Sequence, residues 1–405
     1  MPSAHFIKKG DKQYWPTIAA LFFGSFVTFA LLYCFQPLIP VFSSEYKISP
    51  SIASLSISMA TGSLAIAMLL TPSLSDHFGR KLIMCSSILG STILIGIIAF
   101  IDNFYVILPI RIVEGIFLAG YPAIAMTYIQ EEFDPGITGI VMGIFISGNS
   151  VGGLLGRLLV STLTDLFSWH VAIGTLSILS FFISIWFYKN LPVSQNFQPC
   201  KLSLYDVAQR FTINLKVGKL VVIYMIGFLI MGSFVALYNY AEYPLLAPPY
   251  SLSQTLVGFI FIIYLVGTFS STFMSRLASL HGELKVLDMG LMCMLLGIII
   301  TILLPLWLKI LGIALFTFGF FGSHSIASSM VVKYSPVGKA QSSALYLLFY
   351  YAGSSFIGTW GGNFLIWKGW SGIVILLSGS ICLALVLSNT LLVKNYHSSV
   401  RKLHV

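Results

Sequence analysis

Ser147-Gly148-Asn149-Ser150-Val151-Gly152-Gly153-Leu154-Leu155-Gly156 lies in an apolar run, and 205 residues further on Gly353-Ser354-Ser355-Phe356-Ile357-Gly358-Thr359-Trp360-Gly361 repeats its glycine spacing. Gly148 matches Gly353, Gly153 matches Gly358 and Gly156 matches Gly361, all at one offset. Nearer the start, Gly24-Ser25-Phe26-Val27 returns as Gly232-Ser233-Phe234-Val235, an offset of 208. Two different segments repeated at nearly one spacing predict a chain built of two like halves. Glycines spaced in this way let membrane helices approach closely, and halved apolar chains work as two bundles about a central path.

Composition supports the membrane reading. Of the 405 residues, 57% are hydrophobic and only 9% charged, which excludes a set of soluble domains. About twelve apolar stretches each approach the ~20 residues needed to cross ~30 Å of hydrocarbon. They fall at 16–41, 52–74, 82–101, 104–128, 138–160, 169–188, 219–240, 254–274, 286–305, 310–331, 341–365 and 370–393. Backbone groups in lipid must pair within their own segment, so the stretches are helices. The expected fold is an all-α integral membrane protein, with twelve transmembrane helices in two pseudo-symmetric six-helix bundles. Residues 1–190 form the N-terminal bundle, 191–218 a cytoplasmic linker and 219–405 the C-terminal bundle. The linker is the longest polar interruption, carrying Pro192 and Pro199, and 204–211 within it predicts a short interfacial helix. The first span is too long for the core of a cleaved signal, and no small-x-small site follows it before Pro37 and Pro40.

A net charge of +9 raises the question of nucleic acid, but the distribution answers it. With the N-terminus inside, Lys8, Lys9, Lys12, Arg80, Lys81, Lys189, Lys201, Arg210, Lys216, Lys219, Arg276, Lys285, Lys333, Lys339, Lys394, Arg401 and Lys402 all fall on the cytoplasmic side. Only Lys47, Lys309 and Lys368 fall outside. This is the positive-inside asymmetry, with both termini cytoplasmic, and it sets topology rather than a nucleic-acid partner. Cys34, Cys85, Cys200, Cys293 and Cys382 are scattered without metal-ligand spacing and read as small apolar fillers. The seven histidines show no HExxH pattern, so a membrane-embedded enzyme is a remote reading and no cofactor or metal is expected. A sensor or scaffold would carry a soluble domain, for which no stretch is long enough.

Four constellations carry chemistry. In Pro72-Ser73-Leu74-Ser75-Asp76-His77-Phe78-Gly79-Arg80-Lys81, Gly79 permits a tight turn. Asp76 can hold a facing helix N-terminus, and Arg80 can reach Glu131 or Glu132, which together would latch the cytoplasmic face. The plain alternative is a charged loop obeying the positive-inside rule. Arg111 and Glu114 share one face of the fourth span, well inside hydrocarbon, where a central arginine costs about 2.5–3.5 kcal/mol. They must face a cavity or each other, as a proton- or substrate-binding pair or as a structural ion pair. His324, between Ser323 and Ser325 in the tenth span, is a proton relay or a hydrogen-bonded core histidine. Tyr33 and Gln36 beside Pro37, with Asn149, Asn239 and Tyr240, are candidates to line a substrate cavity, although tyrosines near span ends also serve as interfacial anchors. Gly148, Gly152, Gly153, Gly156, Gly353, Gly358 and Gly361 are expected to pack helices. Asp102, Arg157, Asp165 and Glu242 read as lying near the outer face, in gating salt bridges or in solvent.

The 72–81 loop resembles the G-x-L-a-D-r-x-G-r-k signature of the major facilitator superfamily. Asp76, Gly79, Arg80 and Lys81 match; Pro72 stands for the first glycine and His77 for the first basic residue. Arg111-x-x-Glu114-Gly115 resembles the R-x-x-q-G motif of that family's antiporters, with glutamate for glutamine. The fifth span is similar to their G-P-x-x-G-G motif, with Asn149 in place of proline. The span count, repeat and linker extend the likeness over the whole chain. It is strongest toward the drug:proton antiporter branch and, through Tyr33-Cys34-Phe35-Gln36-Pro37 and Gly232-Ser233-Phe234-Val235, toward a bacterial inner-membrane subgroup. The resemblance implies two bundles rocking in alternating access, a small-molecule substrate, protons as the coupling partner and a lipid bilayer as the setting. It further implies efflux by a monomer in the bacterial inner membrane. A proton-coupled importer or a uniporter of a sugar or amino acid would share the same fold.

Overall fold

The computed structural model describes residues 6–197 and 204–389. Among them the chain is nearly all helix, and the one extended pairing is a bridge between Ile7 and Phe133. Ten helices are long and apolar enough to cross a membrane. These are α1 (Tyr14–Glu45), α2 (Pro50–Phe78), α3 (Arg80–Ile98), α4 (Phe104–Glu132), α5 (Thr138–Leu166), α6 (Trp169–Asn190), α7 (Gly218–Leu246), α8 (Gln254–His281), α10 (Leu306–Tyr334) and the 49-residue Lys339–Leu387. That last helix is broken where Lys368 (φ −138°) and Gly369 (φ 58°) leave helical geometry, so it is two spans, α11 (339–367) and α12 (370–387). The twelfth span is α9 (Glu283–Ile300), whose first turns carry Glu283, Lys285 and Asp288 ahead of a wholly apolar remainder. The last residues of the expected twelfth span, 390–393, lie outside the described residues, as do Pro199, Cys200, Lys201, Lys394, Arg401 and Lys402.

Local chemistry sets the breaks. Pro37 has no N–H to give, and α1 passes through a 3-10 turn, Gln36–Leu38, before resuming as Ile39–Glu45. In α4 the helix is interrupted between Leu118 and Pro122. Asn103 and Ser168 begin α4 and α6 as N-caps, accepting from the backbone N–H groups of Tyr105 and Val171. The surface is inside out relative to a soluble protein: Ile66, Leu70, Phe182, Phe269 and Trp367 are each more than half exposed. Such bands belong in lipid.

The repeated glycines turn out to be one interface built twice. α1 packs along α5, and α7 packs along α11. A Cβ on Gly148 would stand 2.5 Å from the Phe22 carbonyl oxygen, and one on Gly152 would overlap the Phe26 carbonyl. In the second copy, a Cβ on Gly353 would overlap the Phe228 carbonyl, and one on Gly232 would lie 2.7 Å from the Gly353 oxygen. Gly156 faces Ala30, Gly358 faces Val235 and Gly361 faces the Tyr240 ring. Gly153 departs from the expected packing role. Its added Cβ would meet only the Arg157 Nη1, at 3.2 Å, because it points along its own helix face rather than toward α1.

The chain divides into two compact units. Unit 1 comprises 1–46, 59–202 and 253–261; unit 2 comprises 47–58, 203–252 and 262–405. In unit 1 the start of α8 is tied down: Thr255 donates through N and Oγ1 to Asp165 Oδ2 (3.2 and 2.6 Å), and Gln254 Nε2 to the Pro37 carbonyl (2.6 Å). In unit 2 the start of α2 is held by α11, Ser51 Oγ donating to the Thr359 carbonyl at 2.5 Å and Ser355 Oγ to the Ser58 carbonyl at 3.0 Å. The short helix expected at 204–211 forms as Leu204–Leu215 and is anchored in unit 2 by Asn214 Nδ2 on the Val337 carbonyl at 3.0 Å.

Candidate functional site

On α4, Ile107, Arg111, Glu114, Gly115 and Leu118 form the buried stripe, so both charges point into the protein and not into lipid. Arg111 and Glu114 are fully buried and form an ion pair through Nη1 and Oε2. Because α1 breaks near Pro37, carbonyls of its last turn are open to other donors. Arg111 takes two of them, donating to the Leu32 oxygen at 2.9 Å and the Leu31 oxygen at 3.4 Å. Its guanidinium also lies 4.4 Å from the centre of the Phe35 ring. Glu114 is less well served: its second oxygen, Oε1, is buried with no hydrogen-bond partner. A buried carboxylate with one oxygen engaged and one bare is suited to taking up a proton.

A second buried arginine was not legible as a site residue. Arg157 is buried within unit 1 rather than solvated, with Nε donating to Gln36 Oε1 (2.8 Å) and Nη1 to the Gly153 carbonyl (2.6 Å). Tyr33 and Phe261 flank it at 4.4 and 4.9 Å. Tyr33 and Gln36, the candidates for lining a substrate cavity, both engage this arginine. Asn149 accepts from Ser25 Oγ across the α1–α5 contact. The signal available in the sequence was Gly156-Arg157, a charge placed directly after the glycine run.

In unit 2, His324 is half-buried, with Nδ1 2.9 Å from the Tyr346 hydroxyl. Phe320 stacks parallel to its ring at 6.1 Å and Tyr350 lies at 4.6 Å. Asn239 and Tyr240 are buried. The Tyr240 hydroxyl is directed at the carbonyls of Gly358 (2.7 Å) and Thr359 (3.1 Å), fastening α7 to α11.

The loop between α2 and α3 forms a charge cluster. Gly79 adopts φ 90°, which only glycine reaches without strain. Arg80 is nearly buried and meets Glu131 in two bonds (3.1 and 2.9 Å), Asp76 at 2.7 Å and Ser75 at 2.9 Å. Asp76 thus pairs with Arg80 rather than with a facing helix N-terminus. Glu132, the other expected partner, turns away because its Oε1 accepts from Ser194 Oγ (2.5 Å) and the Asn196 N–H (2.8 Å). Lys81 lies over the Tyr188 ring. Unit 2 contains a counterpart that sequence reasoning missed. Gly282 has φ 93°, and the next residue, Glu283, pairs with Lys333 at 2.8 Å. Gly282 and Glu283 each follow Gly79 and Arg80 by 203 residues, with the charges exchanged. Of the remaining acids, Asp102 pairs with His170 at 3.1 Å and Glu242 is buried. No group of histidine, cysteine and acid side chains able to hold a metal occurs among the described residues.

Twelve helices with two arginines and a carboxylate sunk in their interior define a membrane transport protein, since charge at such depth is kept for moving solutes or ions. The comparisons with known proteins agree. The sequence profile of the Major Facilitator Superfamily matches residues 21–243. The chain is 45% identical to the MFS-type transporter YybF of Bacillus subtilis, over 95% of this chain and 96% of that one. It is 38% identical to the inner membrane transport protein YnfM of Escherichia coli, over 95% and 93%. A bacterial homologue of the human lysosomal transporter Spinster, solved in an inward-facing, unoccupied conformation, superposes with a TM-score of 0.72 at 13% identity, over 94% of this chain and 95% of that one. This chain belongs to the major facilitator superfamily and is a multi-pass secondary transporter of small molecules.

Proposed function

We propose that the chain exports a small molecule in exchange for protons, working as a monomer in the bacterial inner membrane with both termini in the cytoplasm. One observation carries this reading: Glu114 is fully buried beside Arg111 and has one carboxylate oxygen without a partner. A proton reaching that oxygen from outside cancels the charge of Glu114 and breaks its ion pair with Arg111. The hold on a cationic or polar solute weakens, the solute leaves, and loss of the proton inward restores the pair. Residues 1–190 and 219–405 are the two bundles that rock, with the α1–α5 and α7–α11 glycine contacts as their stiff inner seams. Asp76, Arg80 and Glu131 latch the cytoplasmic end, and His324 with Tyr346 is the second group able to exchange a proton. The likeness of the Arg111 and Gly148 segments to antiporter motifs favours exchange over symport.

A second reading has its own support. Arg111 already finds two carbonyls, an ion partner and a ring, as a structural pair would. The protein would then be an importer or uniporter of a small polar metabolite. The test uses proteoliposomes enclosing a pH-sensitive dye, challenged with cationic dyes, sugars and amino acids. Proton movement opposite to that of a transported compound supports exchange. Movement with the compound indicates symport, and transport with no proton signal indicates a uniporter.

A further inference from the structure

The helix α8 has three faces. Gly267, Ser270, Met274 and Ala278 are buried against neighbouring helices, while Leu265, Phe269, Phe273 and Leu280 are exposed and apolar. The third face carries Thr272, Ser275 and Ser279, all exposed, with Ser271 beside them. Ser325 of α10 meets it, its hydroxyl 2.9 Å from that of Ser275. Together with Arg276, which is also exposed, these side chains line an open depression of about 510 Å³ within unit 2.

Hydroxyls alone would not require an explanation. Serine and threonine in a membrane helix can return their O–H to the preceding turn, as Ser271 does to the Gly267 carbonyl (3.0 Å) and Ser279 to the Arg276 carbonyl (2.7 Å). Arg276, one of the cations of the positive-inside pattern and exposed here, adds a charge to them. Arg80, Arg111 and Arg157 are each matched by acids, carbonyls or aromatic rings, but no carboxylate lies within ion-pair range of Arg276 among the described residues. The nearby acid Glu283 is already paired with Lys333. An exposed guanidinium, five hydroxyls and no acid form a lining that offers donors and positive charge.

We propose that this depression is a binding site for an oxyanion, a carboxylate or phosphate group carried by a small solute or by a lipid headgroup. The guanidinium engages the anion through charge-assisted bonds, and the hydroxyls of Thr272, Ser275 and Ser325 complete its shell. The proposal goes beyond the transport reading by naming a ligand class, and it is tested by binding alone. Failure here therefore leaves the coupling of Glu114 standing, and failure there leaves this site standing.

The test uses the full-length protein in nanodiscs of phosphatidylcholine, with or without phosphatidylglycerol. Thermal unfolding is followed as inorganic phosphate, glucose 6-phosphate or glucose is added at constant ionic strength. Phosphate and the sugar phosphate raise the Tm in neutral discs and glucose does not, with Arg276→Gln weakening the response about tenfold or more. The double variant Thr272→Val/Ser275→Ala, which keeps the charge, weakens it severalfold and serves if Arg276→Gln folds poorly. Stabilisation by phosphatidylglycerol alone, lost in the same variants, establishes the same site with lipid as its occupant. A wild type that responds to neither source, or variants that respond like the wild type, overturn the proposal.

Discussion

At the scale of single residues, the interior of this protein is organised by arginines, each held by a different set of partners. Arg80 has two acids, Arg111 one acid and two carbonyls, and Arg157 an amide, a carbonyl and two rings. Glu131→Gln removes the two-bond partner of a nearly buried guanidinium while leaving Asp76. It should cost about 1–3 kcal/mol, read as a lower Tm of the purified protein. Arg157→Lys should also lower the Tm, because an ammonium cannot reach Gln36 and the Gly153 carbonyl together while lying between two rings. A solvated arginine at an outer face would tolerate that change, so an unaltered Tm contradicts the buried placement. Arg111 and Glu114 were legible in the sequence because charge in an apolar run has few uses. The partners of Arg157 were not, since Gln36 lies 121 positions away and nothing local links them.

At the scale of elements, most of the fold was legible. Apolar length gave the spans, Pro37 the break in α1, and glycine spacing the α1–α5 and α7–α11 seams. The repeat could not say which glycine of a run faces the neighbour, since that depends on helix rotation. Here Gly152, outside the matched set, is the tightest in its run, and Gly153 faces Arg157. A paired test follows on α5. Gly152→Ala places a methyl group on the Phe26 carbonyl and should sharply reduce folded yield or lower the Tm by several degrees. Gly143→Ala, where an added Cβ meets nothing within 4 Å, should be neutral or slightly stabilising. Comparing the two by fluorescence-detected gel filtration and melting tests the rotation of α5 directly.

At the scale of the whole molecule, the two halves repeat one plan with altered chemistry. Each has a left-handed glycine between its second and third spans, followed by a charged residue paired across to the end of its fourth span. Arg80 with Glu131 becomes Glu283 with Lys333, so the ion pair is kept and its direction reversed. The sequence repeat concealed this second pair because exchanging the charges erases the motif while preserving the interaction. The buried carboxylate of α4 has no acidic counterpart on α10, whose titratable group is His324, paired with Tyr346 of α11. That asymmetry makes Glu114 the centre of the functional account. The decisive measurement compares wild type and Glu114→Gln in proteoliposomes, using a compound that the wild type transports. Glutamine keeps the shape and removes the titrating charge. The account predicts that proton-driven accumulation is lost while substrate exchange without a gradient persists. Proton-driven transport at the wild-type rate in Glu114→Gln would contradict it and leave Arg111 and Glu114 as a structural pair.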